Sequence, residues 1–477
     1  MITTIQQVLI PQGDRYQTVD VQLAGEKIAA IAPRLEAEGE VINGRNKLLL
    51  PGFVNAHTHS SEMWSRGSIA PFPLELWLAE LYDQEVNDPE QIYLSAVGTA
   101  VETLLSGGTT VVDHLSLLPG QEEATVAAAV RAYRDVGIRA YIGPLIYDLA
   151  LPAGVPSKGR ARDIPPAEQT TAEILEMLER IVEAHHRPED GISIMTAPTG
   201  LQLCSMELIE GCIALSDRHL LCRHAHLLET KAQQILMQEK YGCSAVELLN
   251  RTGFLGDRTS LAHCVWLNDT DIALLAQTQS TVVHNPLSNL RLGSGIAPIL
   301  RYRQAGVNIS FGCDGAASND SQDLLEAIKI GSILHNITDT EYQNWIRPVE
   351  AVQMAALGGV TGLGMAEQLG TLTVGKKADL VMYDLTSLSL LPRTDPIGLL
   401  VLGRPTNAVH SAWVNGKAIV GEGTVKTVDI KDLQQRLFES SQWNRVDGTS
   451  TFGNTSPRRQ ATEPHYRYVM GLAQGYS

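Results

Sequence analysis

The sequence predicts an α/β protein, a (β/α)8 TIM-type barrel carrying a small composite β-sandwich domain built from both chain ends. Three observations predict it. Between residue 53 and about 340, eight apolar strand-like runs alternate with helix-like stretches, the pattern of a parallel sheet wrapped by helices. The flanks, residues 1–50 and 370–425, instead alternate apolar and polar residues and carry turn signals. Seven of the thirteen histidines fall near the ends of the eight runs, where a barrel of this kind gathers its chemistry.

The elements follow in order. The first flank holds "TVDVQLAGEKIAAIAP" and "EVINGRNKLLLPG", and the second holds "GTLTVGKKADLVMYDL" and "AVHSAWVNGKAIVGEG". "AGEK" at 24–27 and "NGK" at 415–417 read as hairpin turns between short strands. The barrel strands are expected at 53–57, 109–114, 138–146, 192–198, 219–227, 259–267, 281–286 and 307–315. Helices are expected between them, for example over "DPEQIYLSAVGTAVETLLSGG" and "EEATVAAAVRAYRDVG", the latter stopping at Gly137. An open doubly wound sheet is the alternative, and the lack of GxGxxG after the first strand weakens it. The Pro- and Gly-rich stretch 146–166 reads as a long loop after the third strand. The resulting division is 1–52 and 370–430 for the small β domain, 53–369 for the barrel, and 431–477 for a C-terminal helix and an irregular tail.

Composition bounds the function classes. The 477 residues are 44% hydrophobic and 19% charged, enough for a core of normal size. The net charge of −16 argues against a nucleic-acid partner, whose phosphates require Lys and Arg. No 18-residue apolar run marks a membrane span, and the first twenty residues lack the basic start and apolar block of a signal peptide. The six cysteines form no CxxC pair and read as reduced and buried, so a cytoplasmic protein is expected.

The polar residues on the strand ends carry the chemistry. His57 and His59 end the first run, Asp113 and His114 the second, and His224 and His226 the fifth, with Glu229 just beyond. His263 lies on the sixth run, His284 ends the seventh and Asp314 the eighth. Taken singly, His114, His224 or His284 reads as a satisfied core histidine; the set gathered at one rim does not. His57 and His59, two residues apart, project from one face of an extended segment. With a third imidazole from strand 5 and a carboxylate from strand 8 they make a His3Asp set suited to Zn²⁺ or a related divalent ion, with a position left for water. Strand 4, "ISIMTAPTG", offers no Lys or Glu to bridge a second ion, so one metal ion is expected. Glu229 stands where a carboxylate can shuttle protons over the site.

These pieces together resemble the amidohydrolase superfamily, in the branch that holds S-adenosylhomocysteine/methylthioadenosine deaminases, guanine-type deaminases and triazine hydrolases. The matching motifs are "PGFVNAHTH", "SRG" (65–67), "SGGTTVVD", "HLLET", "AHCVWL", "VVHNPLSNLRLGSGIAP", "FGCDGAASND" and "LGTLTVGKKADLVMYDL", over residues 1–425. The resemblance implies that His57, His59, His226 and Asp314 bind the metal, most simply zinc, with iron the alternative. It implies that Glu229 protonates the ring, that His263 polarises the hydroxide or oxyanion, and that Asp314 takes the proton of the attacking water. His284, Asn285, Ser288 and Asn289 are expected as polar substrate contacts, Trp77 as a stacking or lid contact, and Arg66 as a loop anchor or an anion contact.

The implied activity is hydrolytic deamination of an amino-substituted N-heteroaromatic ring by metal-bound hydroxide, on a small-molecule substrate, in a homo-oligomer. Glu229 suits an amine leaving group, while His114 and "SNDSQDLLE" after Asp314 look more like the 8-oxoguanine and triazine relatives. A dechlorinating, dealkylating or cyclic-amide-opening hydrolase is the alternative. A non-catalytic binding barrel is the reading from another class; such a chain should lose ligands, yet every position of the set is filled.

Overall fold

The computed structural model describes residues 2–13, 15–82, 88–161, 163–440 and 456–471. Eight parallel strands form the central ring: β1 (Phe53–Thr58), β2 (Gly108–Ser116), β3 (Arg139–Ile146), β4 (Ile192–Ile194, resuming at Ala197–Pro198), β5 (Arg223–Leu227), β6 (Thr259–His263), β7 (Thr281–His284) and β8 (Asn308–Phe311). Neighbours pair in order within two halves, β1–β4 and β5–β8. Backbone bonds join the halves on both sides. His224 N donates to Thr196 O at 3.0 Å, and Asp314 N donates to His57 O at 2.9 Å. The chain is therefore an α/β TIM-type barrel.

Strands β1, β2 and β3 are buried along nearly their whole length, as strands covered by helices on one side and a filled interior on the other must be. The covering helices include Pro89–Leu105, Glu122–Val136, Thr171–His185, Met206–His219, Asp269–Thr278 and Leu324–Ile333. Several start where the sequence places an oxygen-bearing cap: Asp88, Thr170, Ser205, Asn268 and Asp323 each accept from a backbone N–H of the first turn, worth about 1 kcal/mol apiece. Gly137 closes the Glu122–Val136 helix with φ 82°, a left-handed position that favours glycine.

Both chain ends share one nine-stranded sheet. Lys47–Pro51 runs antiparallel to Leu380–Asp384, and this pairing joins the two flanks. The sheet has its own apolar cluster, with Val8, Val21, Leu49, Leu380, Met382 and Trp413 at its centre. The hairpin turns stand as read: Gly25 has φ 60°, and Asn415 and Gly416 have φ 48° and 71°, as such tight turns require. One buried ion pair ties sheet to barrel. Arg139, first residue of β3, meets Asp379 at 3.1 Å with both side chains almost fully buried. Gly52, between the sheet and β1, has no room for a Cβ against Thr109.

Five expectations change. Residues 219–222 are not strand, because the Met206–His219 helix ends on Leu220 in a left-handed conformation. The sixth run stops at His263, and the eighth stops before Asp314, because His263, Cys264 and Asp314 all have positive φ. Pro286 ends the seventh run by opening a short helix, Pro286–Arg291. The tail is not all irregular: Ser456 caps a helix over Pro457–Val469. That helix packs against Leu74–Leu81, where Ser456 Oγ donates to Ala79 O and Arg459 pairs with Glu80. Residues 441–455 and 472–477 of the tail lie outside the described residues.

Candidate metal centre and active site

Strand alternation turns His57 and His59 to the same side of β1, and the other barrel strands bring their partners to them. His59 Nε2 lies 3.1 Å from His226 Nε2. Asp314 Oδ1 lies 3.4 Å from His57 Nε2 and 3.4 Å from His59 Nε2. Among the described residues, His57, His59 and Asp314 form one of two trios whose ligand atoms cluster tightly enough for one ion; His57, His114 and His226 form the other. Thus β1, β5 and the segment after β8 meet at one point, as the sequence leads one to expect.

The outer ring nitrogens fix the tautomers. His59 Nδ1 bonds the carbonyl of His114 at 2.6 Å, and His226 Nδ1 bonds the carbonyl of Thr199 at 2.6 Å. A carbonyl only accepts, so each Nδ1 carries the proton. Burial holds His226 well below the usual imidazole range and His57 at about 4. With its Nδ1 proton committed, neutral His226 points the lone pair of Nε2 at His59 Nε2 across 3.1 Å. A cation resolves that arrangement. Around a tetrahedral ion with bonds near 2.0–2.1 Å, ligand atoms stand about 3.3 Å apart, close to the spacings here. His57 Nε2 is moreover buried without a hydrogen bond. The donor set therefore fits one divalent ion held by His57, His59, His226 and Asp314.

Beside this cluster, His263 Nε2 lies 3.7 Å from Asp314 Oδ2 and 3.6 Å from Glu229 Oε2. Its Nδ1 bonds Asn289 Oδ1 at 2.9 Å, which aims Nε2 at both carboxylates. The two carboxylates are driven apart. Burial raises the proton affinity of Glu229, against the lowering influence of His263. Burial also opposes ionisation of Asp314, but the imidazoles around it, His57 foremost, outweigh it and hold the carboxyl well below the usual range. Such divergence separates an acid from a base. Leu228, His263 and Asp314 all sit at positive φ (44°, 73° and 62°), and strain of this kind concentrates where side chains must be aimed.

A cavity opens from these groups. Its walls include Glu62, Glu75, Trp77, Tyr82, Leu145, Leu151, Val155, Gln202 and Leu292, and it reaches His59, His226, Glu229, His263 and Asp314. Trp77 lines it, and its Nε1 has no hydrogen-bond partner. The 146–166 stretch supplies Leu151, Pro152, Gly154 and Val155 of the wall through a short turn at Leu151–Gly154.

The other expected substrate contacts are not brought to this cavity. Arg66 is held by both oxygens of Glu102, at 2.8 and 2.9 Å, so it anchors the loop after β1. His284 faces the helix layer, with its Nε2 3.2 Å from His335 Nε2. Asn285 lies beneath His263, its Nδ2 3.5 Å from His263 Nδ1, and Asn289 meets only the back of that ring. Ser288 is buried away from the cavity wall. Sequence reasoning missed Glu62 and Glu75, both buried in the wall and both pushed up to about 7 by burial. A glutamate near the start of an apolar helix was the available signal for Glu75. Asp113, noted at the end of β2, accepts from Ser60 N and Oγ at 2.9 and 2.7 Å and so pins the chain just after His59.

Residues 48–419 match the amidohydrolase family. The chain belongs to that family. This amidohydrolase is 32% identical over 397 residues to a 5′-deoxyadenosine deaminase of Methanothermobacter thermautotrophicus, covering 83% of this chain and 87% of that one. It is 31% identical to a 5-methylthioadenosine/S-adenosylhomocysteine deaminase of Syntrophomonas wolfei, covering 85% and 89%. Among solved structures, atrazine chlorohydrolase from Arthrobacter aurescens complexed with zinc aligns at TM-score 0.84 and 25% identity, covering 92% and 99%. An adenosine deaminase from Xanthomonas campestris with bound zinc aligns at TM-score 0.82 and 25% identity, covering 92% and 97%.

Proposed function

We propose that this amidohydrolase is a hydrolytic deaminase that releases ammonia from an amino-substituted N-heteroaromatic ring, of the purine nucleoside kind or close to it. The observation that carries the reading is the pairing of Glu229 and Asp314 across His263, with opposite shifts in proton affinity, at the floor of a cavity beside three converging imidazoles. Deamination needs such a pair, since water must lose a proton while the ring nitrogen gains one. When bound, a divalent ion supplies a water of near-neutral acidity. Asp314, ionised, accepts a proton from the attacking water. Glu229 delivers a proton to the ring nitrogen beside the attacked carbon. His263 holds the incoming oxygen by a hydrogen bond; the proton taken by Asp314 passes to the amino nitrogen, which leaves as ammonia, while the hydroxyl proton returns to Glu229 and the carbon keeps the oxygen as a carbonyl. Names of relatives at 31–32% identity support an amino-purine nucleoside as the substrate.

The test is an ammonia-release assay of zinc-supplemented protein on 5′-deoxyadenosine, 5′-methylthioadenosine, S-adenosylhomocysteine and representative purines, pterins, pyrimidines and aminotriazines. Release from at least one is expected; release from none contradicts the reading. The triazine hydrolase among the structural neighbours favours a second reading, loss of chloride or an alkylamine from a triazine, and product mass separates the two.

We further propose one zinc ion per chain, supported by the two candidate trios sharing His57 at one point of the rim, and by the zinc-bound neighbours. The separate apolar cluster of the nine-stranded sheet supports a small β-sandwich domain of 1–52 and 370–430 set beside the barrel of 53–369. Six free cysteines, five of them buried, support a reducing cytoplasmic setting. A homo-oligomer is proposed by family resemblance.

A further inference from the structure

Two of the three imidazoles at the centre are fixed from behind by backbone carbonyls. The third, His57, is fixed by another side chain. His57 Nδ1 lies 2.8 Å from His224 Nε2, and His224 Nδ1 lies 2.7 Å from Ser260 Oγ. His57 and His224 are fully buried and Ser260 nearly so. The arrangement follows from the strands. His224 stands two residues before His226 on β5, so it faces the same interior, one layer deeper. Ser260 is its register partner on β6.

This back-support differs in kind from a carbonyl. An imidazole both donates and accepts, so His224 alone leaves His57 two ways to place its proton. In one, His57 Nδ1–H donates to His224 Nε2, His224 Nδ1–H donates to Ser260 Oγ, and the His57 Nε2 lone pair faces Asp314. In the other, every donor and acceptor in the row is reversed, and His57 Nε2 carries a proton where a ligand lone pair is needed. The Ser260 hydroxyl can donate or accept and so completes either row; a cation, which needs the His57 Nε2 lone pair, selects the first, in which His224 Nε2 accepts from His57 Nδ1–H. The line also sets the plane of the His57 ring, which stands nearly perpendicular to His59 and His226 (82° and 86°).

We propose that His224, seated by Ser260, is a positioning residue for the metal centre: it holds His57 in the tautomer and orientation that present Nε2 to the ion. The inference rests on the metal-site reading above and is independent of which substrate is used. Groups that orient a ligating histidine typically change metal affinity by about 10- to 100-fold when removed.

The experiment measures the zinc dissociation constant of the full-length protein by competition with a chromogenic chelator, together with the melting temperature of the metal-free forms. The variants are His224→Leu, His224→Gln and Ser260→Ala. His224→Leu is expected to weaken zinc binding by about 10- to 100-fold. His224→Gln, whose amide oxygen still accepts from His57 Nδ1–H, is expected to restore most of that loss, with Ser260→Ala between Gln and the wild type. A role in packing alone predicts loss of melting temperature without this order of affinities. Zinc binding by His224→Leu as tight as the wild type's overturns the proposal. If that variant does not fold, wild-type affinity in Ser260→Ala overturns it. A wild type that binds no zinc defeats the metal-site reading itself, a different outcome from either.

Discussion

The rim of the barrel and the sheet made by the chain ends are both β-structure, yet they are built on opposite terms. At the rim, buried polar groups meet one another: four imidazoles and two carboxylates lie within a few ångströms, on backbone bent to positive φ at three of the contributing segments. In the sheet, the interior is Val, Leu, Ile, Met and Trp, and the positive φ values belong to turns and a bulge at Gln7. Burying polar groups costs stability unless each is paired. The rim carries that cost where a ligand is to be bound, and the sheet, with a dry core, contributes stability without chemistry. The two should therefore respond differently to substitution.

The largest effect is expected at the rim. Glu229→Gln should lower kcat by about 10²- to 10⁴-fold, the range for loss of general acid–base catalysis, while zinc content and melting temperature stay near wild type. Steady-state ammonia release with metal analysis checks it. Asp379→Ala sharpens the boundary between the regions. It leaves Arg139 buried without its carboxylate, at a cost of about 3–5 kcal/mol, read as a lower denaturation midpoint. Arg139 begins β3, at the end of the barrel opposite the rim, so kcat of the folded fraction should hold. Trp413→Ala, in the sheet's core, should likewise cost about 3–5 kcal/mol with zinc affinity unchanged; a matching loss of zinc would break the comparison.

The smallest effect concerns Glu75. Its carboxyl keeps its proton up to about pH 7 in the fold, against an ordinary value of 4.5, because burial disfavours the charge. Between those two values the folded chain holds a proton that the unfolded chain has lost, so this group makes stability fall as pH rises across that window. Glu75→Gln removes the dependence. Its melting temperature relative to wild type should climb from pH 4.5 to pH 7, by an amount equivalent to about 3 kcal/mol at most, and stay level above.

Much of this was legible in the sequence, for identifiable reasons. Long apolar runs buried on both faces declare themselves, so β1, β2 and β3 fall within one or two residues of the runs read for them. The i, i+2 pair His57 and His59 fixes a direction without any coordinates. What failed was finer. His284 ends its strand as expected, but the strand's alternation turns the ring to the helix layer and His335. The chain at His263 and Asp314 leaves the strand through positive φ, which no hydrophobic pattern encodes. Arg66 found Glu102, 36 residues away, and His224 found His57 and Ser260 across strands; such partners follow from register rather than from local sequence. Glu75 stands out only as a glutamate in an apolar helix, and its place in the cavity wall follows only once that helix is laid over the rim.

The measurement that bears most directly on the account is the zinc content of purified wild-type protein and of His59→Ala, determined by elemental mass spectrometry on matched, folded samples. One zinc per wild-type chain, and zinc lost from His59→Ala together with ammonia release, is the expected result. Full zinc content and undiminished turnover in His59→Ala would contradict it.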